Sequence, residues 1–271
     1  MEDFRAYSEI QKKLRKFFSE EKNFVEVPTQ SRLSILAACE DPDTLVTVSI
    51  SGVKWPLPQT GQMWLEHELL KNPSLPGVFC VTTSYRNEPN PIKGRHDIVF
   101  PMFEFESHGT IKDLEKLERE LLFYLGFKDP TRVSYESACE KYGVRSIEDK
   151  QEEALCGEYG TVMLHTFPQR THPFWNMKHE RDGFYNKIDV LLGGMETIGS
   201  AERSTNVDEM FRNFMTVSDG KYKQKLFDEF GEERVMEELD EYLALPMISR
   251  YGGGMGQTRL AKAMRKEGLL D

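Results

Sequence analysis

The sequence predicts one α+β domain with an antiparallel hairpin at the centre of its sheet. Two alternating apolar runs, at residues 78–88 and 97–107, are separated by a short polar loop, as in a long hairpin. Amphipathic runs with helical spacing precede and follow them. No repeat, low-complexity tract or flexible linker divides the chain, so residues 1–271 are treated as one domain.

The first third of the chain predicts two helices and three short strands. Residues 4–20 form an amphipathic run, and NFVEVPTQ predicts a strand that stops at Pro28. The run LVTVSISGVKWPLP predicts a strand pair that turns at Ser51 and Gly52, and MWLEHELLK predicts the second helix.

Beyond the central hairpin, further helices and strands are predicted. IKDLEKLERELLFYLGF predicts a helix with leucines on one face, and residues 129–160 predict a small helical insertion. GTVMLHTFP and FYNKIDVLLGG predict strands on either side of a turn-rich segment. Residues 208–245 predict charged helices, and a glycine run at 252–256 leads into the last helix.

Composition and charge restrict the classes of function. Lys and Arg total 35 against 45 Asp and Glu, which gives a formal charge of -10. This negative charge disfavours non-specific binding of nucleic acid as the main function. No run approaches the roughly 20 apolar residues of a membrane span, and the charged N-terminus is unlike a signal peptide. We therefore expect a cytoplasmic protein without a zinc site, with these cysteines reduced: Cys39, Cys80, Cys139 and Cys156.

The loop of the central hairpin carries a first group of polar and aromatic residues, Arg86, Glu88, Arg95, His96 and Phe100. On neighbouring antiparallel strands these side chains converge over one face of the sheet. A guanidinium suits a phosphate, a carboxylate suits the exocyclic amine of adenine, and an aromatic ring stacks on a base. The group therefore predicts a nucleotide site, with an ordinary charged loop and a core phenylalanine as the alternative.

A second group lies in the segment YGGGMGQTRL, where small residues precede a helix that carries Arg259. Glycines such as Gly254 and Gly256 allow a phosphate chain to approach the backbone closely. The segment fits neither the P-loop nor the Rossmann pattern, and a flexible connector is the alternative. Upstream, Glu196 follows a strand and a glycine break, and its carboxylate suits Mg²⁺. The alternative is that Glu196 is an ordinary surface charge at the end of a strand.

In this order and spacing, the segments resemble the three motifs of class II aminoacyl-tRNA synthetases, in particular the aspartyl, asparaginyl and lysyl subgroup. KNFVEVPTQ resembles motif 1, SYRNE followed by RHDIVFPMFEFE resembles motif 2, and GGGMGQTRL resembles motif 3. LPQTGQMWLE, PFWNMK and DVLLGGMETIGSAER also resemble subgroup segments, so the likeness extends over nearly the whole chain. It implies an antiparallel sheet flanked by helices and a homodimer formed through the motif 1 segment.

The resemblance also implies a reaction, in which the carboxylate of an amino acid attacks ATP to give an aminoacyl-adenylate and pyrophosphate, with Mg²⁺ as cofactor. By that resemblance Arg86 contacts the α-phosphate and the substrate carboxylate, and Glu88 contacts the adenine amine. The resemblance also implies that His96 and Arg259 bind the outer phosphates, that Phe100 stacks on the adenine and that Glu196 binds magnesium.

Gln62, Glu66 and Arg203 stand where members of the resembled subgroup bind the amino acid. By that resemblance Gln62 lies near the amino end of the substrate, and Arg203 contacts the oxygen of its side chain. Glu66 can accept from a carboxamide but faces an aspartate side chain as a like charge, so the sequence favours asparagine over aspartate. In the alternatives, Glu66 binds the α-amino group or lies on the exposed face of its helix.

The sequence departs from the resembled subgroup in two places. First, the anticodon-binding barrel is expected to be absent, as it is in ammonia-dependent asparagine synthetases, whose motif 3 also resembles GGGMGQTRL. Second, Val99 stands where the subgroup usually has glutamate. We therefore expect a stand-alone ligase that passes the acyl group to ammonia, an amine or a protein. The alternatives are a paralogue that charges tRNA and a non-catalytic regulatory subunit, and the combination of Arg86, Glu196 and Arg259 favours catalysis.

Overall fold

The computed structural model describes residues 3–30, 32–94, 97–181 and 183–270. The strands are β1 (Val25–Glu26), β2 (Thr47–Ile50), β3 (Val53–Pro56), β4 (Gly77–Tyr85), β5 (Val99–His108), β6 (Thr131–Ser134), β7 (Val162–Pro168), β8 (His179–Arg181), β9 (Phe184–Leu192), β10 (Met195–Glu202) and β11 (Arg250–Gly256). The helices are α1 (Phe4–Lys16), α2 (Gln62–Lys71), α3 (Ile111–Leu125), α4 (Tyr135–Tyr142), α5 (Asp149–Tyr159), α6 (Val207–Thr216), α7 (Lys221–Phe230), α8 (Glu232–Leu243) and α9 (Gln257–Lys266).

Nine of the strands in the described residues form one sheet, in the order β1-β4-β5-β11-β10-β9-β7-β6, with β8 paired to β9. Neighbouring strands are antiparallel except β1 with β4 and β6 with β7, which are parallel. β2 and β3 form a separate hairpin, and its turn at Ser51 and Gly52 has positive φ angles. The predicted α+β fold, with a largely antiparallel sheet flanked by helices, is confirmed.

The two faces of the central strands carry opposite chemistry. Along β5, Phe103 and Phe105 enter the main hydrophobic core together with residues of α1, α3 and α9. Successive side chains of a strand point to opposite faces, so Glu104 and Glu106 point away from this core, to the face where α2 packs. Both carboxylates are fully buried.

The glycine run of the sequence forms the central strand β11. It pairs with β5 on one side and with β10 on the other. A Cβ at Gly252 would lie 1.7 Å from Glu106 Oε2, and a Cβ at Gly253 would lie 2.6 Å from Ser200 Cβ. The packing therefore requires glycine at these positions, and the run is part of the sheet instead of a flexible connector.

The segment 129–160 contains a strand as well as helices. β6 extends the sheet beside β7, and α4 and α5 form a separate apolar cluster with β7 and β9. The sequence predicts only helices here, because the four residues TRVS are too few to show a strand period. In the described part of the chain, no helix is long and apolar enough to cross a membrane.

Candidate active site

A cleft of about 360 Å³ opens beside the central strands, on the face that carries Glu104. Most of the residues predicted from the sequence line it: Gln62, Arg86, Glu88, Phe100, Glu196, Gly254, Gly256 and Arg259. Glu66 and Arg203 are buried next to Gln62 and are not part of the cleft wall. Arg95 and His96 lie outside the described residues.

Arg86 lies just after β4, where its backbone N–H donates to the Ile98 carbonyl at 2.8 Å and keeps the two arms of the hairpin together. Its Nη2 donates to Glu40 Oε2 at 2.7 Å, and its Nε donates to Ser84 Oγ at 3.4 Å. Phe100 on β5 lines the same space. The guanidinium is therefore held at the cleft by a carboxylate that an anionic ligand can replace.

The strand β11 and the first turn of α9 form another wall of the cleft. Gly254 has no side chain, which leaves a gap beside Met102. A Cβ at Gly254 would lie only 3.0 Å from Met102 Cε. Thr258 and Arg259, in the first turn of α9, line the cleft, and Arg259 Nη1 donates to the Glu196 carbonyl at 2.7 Å. A helix N-terminus, a guanidinium and little steric bulk together suit phosphate groups.

Two carboxylates, Glu196 on β10 and Asp189 on β9, face the same gap at Gly199. A Cβ at Gly199 would lie 2.9 Å from Glu196 Oε1 and 3.7 Å from Asp189 Oδ1. Asp189 Oδ2 accepts from Lys187 Nζ at 2.6 Å, whereas Oδ1 is buried without a hydrogen-bond partner among the described residues. Burial raises the pKa of Asp189 to about 7, against the opposing effect of Lys187.

This pair of carboxylates fits a magnesium ion, which takes one or two carboxylates together with phosphate oxygens. Within the described residues, no group of three or more His, Cys, Asp or Glu side chains is arranged to hold a metal. A metal at Glu196 and Asp189 would take its other ligands from phosphate oxygens or water. Sequence reasoning misses Asp189, although an aspartate inside the apolar run KIDVLL is a signal that could have identified it.

Gln62 joins the cleft to a buried network of charges. Its Nε2 donates to the Gly253 carbonyl at 2.9 Å, and its Oε1 accepts from Arg203 Nη2 at 2.5 Å. Arg203 in turn lies 3.3 Å from Glu66 and 3.4 Å from Glu106. The fold thus brings Gln62, Glu66 and Arg203 together, and of these three only Gln62 lines the cleft.

Arg250, at the start of β11, is the second cation of this network, and sequence reasoning misses it. Its Nη2 donates to Glu66 Oε2 at 2.7 Å and to Tyr242 Oη at 2.5 Å. The Tyr242 hydroxyl donates to Glu66 Oε2 at 2.6 Å, and Asn176 Nδ2 donates to Glu66 Oε1 at 2.8 Å. Burial opposes the ionisation of Glu66, but Arg250 and Arg203 outweigh it, so the pKa of Glu66 is lowered.

Three further carboxylates that the sequence does not identify line the cleft: Glu40, Asp97 and Glu104. Glu104 accepts from Thr60 Oγ1 at 2.5 Å, from Thr82 Oγ1 at 2.6 Å and from the Gly61 N–H at 2.7 Å. Burial raises the pKa of Glu104. Glu40 comes from a loop that has no periodic pattern in the sequence, and only the fold brings it to the cleft.

A second cavity of about 290 Å³ adjoins the cleft and shares Glu40 and Glu196 with it. Its apolar wall consists of Tyr135, Ile147, Leu164, Phe167, Phe174 and Met177. Its charged and titratable residues are Glu40, Glu152, Asp189, Glu196, Lys187 and His172. Because carboxylates outnumber the basic groups, the cavity suits a cation better than an anion.

Residues 1–267 match the family model of the class II tRNA synthetases (D, K and N). No curated protein sequence matches the chain. Among solved structures, the asparaginyl-tRNA synthetase of Pyrococcus horikoshii complexed with asparaginyl-adenylate is similar, with a TM-score of 0.78 and 19% identity over 97% of this chain and 65% of that chain.

Two further solved structures are similar to this chain. The asparaginyl-tRNA synthetase of Entamoeba histolytica in complex with asparaginyl-adenylate has a TM-score of 0.76 and 20% identity, over 97% of this chain and 63% of that one. A putative aspartyl-tRNA synthetase from Leishmania major Friedlin has a TM-score of 0.74 and 17% identity, over 96% of this chain and 61% of that chain. At such low identity these likenesses show a shared fold, and this chain spans less than two thirds of the length of each structure.

Proposed function

The chain belongs to the family of class II tRNA synthetases for aspartate, lysine and asparagine, and we propose that it activates aspartate, asparagine or a close analogue as an aminoacyl-adenylate. The observation that carries this proposal is the convergence of Arg86, Glu196 and Arg259 on one cleft, next to Gln62. Arg86 and Arg259 supply positive charge for the phosphates of ATP, and a Mg²⁺ ion bound at Glu196 would offset the carboxylates of the cleft, so that an amino acid beside Gln62 is placed for reaction. Two of the similar asparaginyl-tRNA synthetases were solved with asparaginyl-adenylate bound.

In this proposal ATP lies between the central hairpin and α9. Phe100 stacks on the adenine, and Glu88 accepts from its exocyclic amine. Arg86 exchanges Glu40 for the α-phosphate, and Arg259 binds the outer phosphates. The carboxylate of the amino acid attacks the α-phosphorus in line, and pyrophosphate leaves with the electrons of the broken P–O bond. Arg95 and His96 remain predicted ligands of ATP.

Glu196 and Asp189 are the residues that hold Mg²⁺ in this proposal, because their oxygens face one gap and Asp189 Oδ1 lacks a partner among the described residues. The metal supplies charge neutralisation and alignment of the phosphates when it is bound. Lys187 keeps the other oxygen of Asp189 occupied and so orients the carboxylate.

We also propose that the acyl group passes to ammonia or an amine, which includes the reaction of an ammonia-dependent asparagine synthetase. The second cavity meets the cleft at Glu40 and Glu196, and its acidic and apolar lining suits a cationic amine better than the polyanionic end of a tRNA. The bound ammonium or amine first gives a proton to a carboxylate of the cavity, such as Glu40, and its nitrogen lone pair then attacks the acyl carbon. The nitrogen loses a second proton as the amide forms, and AMP leaves with the electrons of the broken C–O bond. Release of AMP that depends on tRNA, and not on ammonium or amines, would support the alternative of a tRNA-charging paralogue.

A homodimer formed around β1 and a location in the cytoplasm are further proposals. Among the described residues β1 pairs only with β4, and Val25 on β1 is exposed, so this edge of the sheet is available to a second copy. The four cysteines are free, as in proteins of reducing compartments. Light scattering of the purified protein tests the dimer.

The test of adenylate formation is the amino-acid-dependent exchange of labelled pyrophosphate into ATP, with Mg²⁺, across the standard amino acids and without an acceptor. We expect exchange with aspartate or asparagine and its loss in Arg86→Ala, because the α-phosphate contact is removed. Arg212→Ala, which removes an exposed guanidinium on α6, is the matched control. No exchange with any amino acid would contradict the proposal and would favour a regulatory subunit.

A further inference from the structure

We propose that the second cavity binds the acyl acceptor, and that this acceptor is a primary amine with an apolar body, such as a short alkylamine or arylalkylamine. The inference rests on the proposed adenylate formation and names the substrate class of its second step. It narrows the acceptor from ammonia or any amine to an amine whose apolar part fills this cavity.

The cavity is much larger than ammonia. Its volume is about 290 Å³. A molecule the size of water or ammonia occupies roughly 30 Å³, and a cavity of about 150 Å³ lined by apolar side chains holds benzene. The space beyond the nitrogen therefore accommodates a ring or a short chain, and the apolar wall gives that part of the acceptor a favourable contact.

A bulge in β7 builds much of the apolar wall. The register of β7 with β9 shifts between His165 and Phe167, and Thr166 has a φ of 59°. Side chains alternate along a regular strand, so Leu164 and Phe167 would otherwise point to opposite faces. The bulge brings both to the cavity, where the rings of Phe167 and Tyr135 have centroids 4.8 Å apart. The fold thus keeps a strained backbone at Thr166 and gains an apolar surface there.

The segment 129–160 supplies both an apolar and an acidic part of the cavity. The N–H of Ile147 donates to the Tyr135 hydroxyl at 3.0 Å, which fixes the segment between α4 and α5 against the ring. On α5, Glu152 Oε2 accepts from the N–H of Glu196 at 3.2 Å. The segment therefore covers an apolar space and places a carboxylate at the side where this space meets the cleft.

The charges of the cavity leave room for one monovalent cation. Four carboxylates line it, those of Glu40, Glu152, Asp189 and Glu196. In the proposed function Mg²⁺ binds two of them and keeps both ionised, and Lys187 pairs with Asp189 at 2.6 Å. With histidine counted as neutral, three positive charges then face four negative ones. An ammonium group supplies the missing charge, whereas a phosphate or a carboxylate would increase the excess.

Glu40 is the carboxylate that meets the nitrogen. It pairs with Arg86 at 2.7 Å, and the proposed binding of the α-phosphate to Arg86 releases it. A nitrogen at Glu40 is therefore close to the acyl-phosphate bond. The ammonium gives one proton to Glu40, the lone pair attacks the acyl carbon, and the nitrogen loses a second proton as the amide forms. AMP leaves with the electrons of the broken C–O bond, while the apolar body stays in the cavity.

The experiment measures AMP formation with ATP, Mg²⁺, the amino acid that supports pyrophosphate exchange, and one acceptor at a time: ammonium, methylamine, ethylamine, propylamine or butylamine. The four alkylamines have similar basicity, so differences among them report the apolar contact. We expect kcat/KM to rise by about three- to fourfold for each added methylene, and mass spectrometry should identify the alkylamide. Values that are equal for all five acceptors, or that fall from ammonium to butylamine, would overturn the inference.

Ile147→Phe tests whether this cavity is the one that binds the chain. The larger side chain fills part of the space and should lower the ratio of kcat/KM for butylamine to that for methylamine by at least about tenfold. Ile50→Phe makes the same change at an exposed position on β2 and should keep the wild-type ratio. A wild-type ratio in Ile147→Phe would overturn the assignment to this cavity. If that variant does not fold, the series of amines with the wild type still decides the substrate class.

Pyrophosphate exchange without an acceptor separates the inference from the function on which it rests. Exchange together with AMP formation that ammonium supports as well as butylamine would overturn the inference and leave adenylate formation intact. The same conclusion would follow from exchange together with AMP formation that depends on tRNA alone. No exchange with any amino acid would overturn adenylate formation and the inference with it.

Discussion

Replacing Glu118 with glutamine should stabilise the protein at neutral pH. Glu118 lies on α3, is fully buried, and neither of its carboxyl oxygens has a hydrogen-bond partner among the described residues. Burial raises its pKa from 4.5 to about 8. The folded chain therefore keeps a proton at neutral pH that the unfolded chain has released.

The direction and size of the effect follow from this difference in bound protons. Between 4.5 and about 8 the folded state binds more protons than the unfolded state, so this carboxyl lowers the free energy of unfolding as the pH rises through that window. At about 1.4 kcal/mol for each tenfold change in proton concentration, the loss at neutral pH is at most about 3 kcal/mol. Glutamine does not titrate, and the variant should lack this loss.

Urea unfolding of the wild type and of Glu118→Gln, at about pH 5 and about pH 7, measures the effect. The stability advantage of the variant should grow by roughly 2 to 3 kcal/mol between the two pH values, whatever constant difference the amide introduces. Glu140→Gln, which removes an exposed carboxyl on α4, is the control and should show no such growth. An advantage of Glu118→Gln that is the same at both pH values would refute the reasoning.

Three further substitutions test the cleft. Gly199→Ala places a methyl group 2.9 Å from the Glu196 carboxylate and should reduce Mg²⁺-dependent pyrophosphate exchange by about tenfold or more. The control is Gly157→Ala on α5, where the added Cβ meets open space and the exchange rate should be unchanged. Arg259→Ala should lower kcat/KM for ATP by about 10- to 150-fold, since a charge-assisted phosphate contact contributes about 1.5 to 3 kcal/mol; unchanged kinetics would show that the guanidinium does not bind ATP. Phe100→Ala should weaken ATP binding by about 5- to 150-fold and Phe100→Tyr by much less, and equal effects in calorimetry would argue against a stacked adenine.

Some features follow from short stretches of sequence. The period of two in residues 78–88 and 97–107 predicts the hairpin of β4 and β5, and the leucines of α3 predict its buried face. The positions of Arg86, Glu88 and Phe100 around the cleft follow from that hairpin, because neighbouring antiparallel strands bring their side chains together. Elements of this kind are determined by residues near to one another in the chain.

Other features have no local signal. Glycines carry no hydrophobic period, so the run at 252–256 shows its role as a central strand only against Glu106 and Ser200, which exclude a Cβ there. β6 is too short to show a strand period, and it becomes visible only through its pairing with β7. Asp189 resembles an isolated acid in an apolar strand until the register of β9 and β10 places it beside Glu196.

The sequence by itself determined the fold class, the order of the motifs and half of the residues that line the cleft. The tertiary structure alone decided what Glu66 contacts, since its partner Arg250 lies 184 residues later in the chain. The ionisation and the availability of a buried side chain depend on the charges packed around it, and these come from strands and helices that are distant in sequence. A pattern of residue types therefore identifies a carboxylate as a candidate ligand, and only the packing shows whether a cation of the protein already holds it.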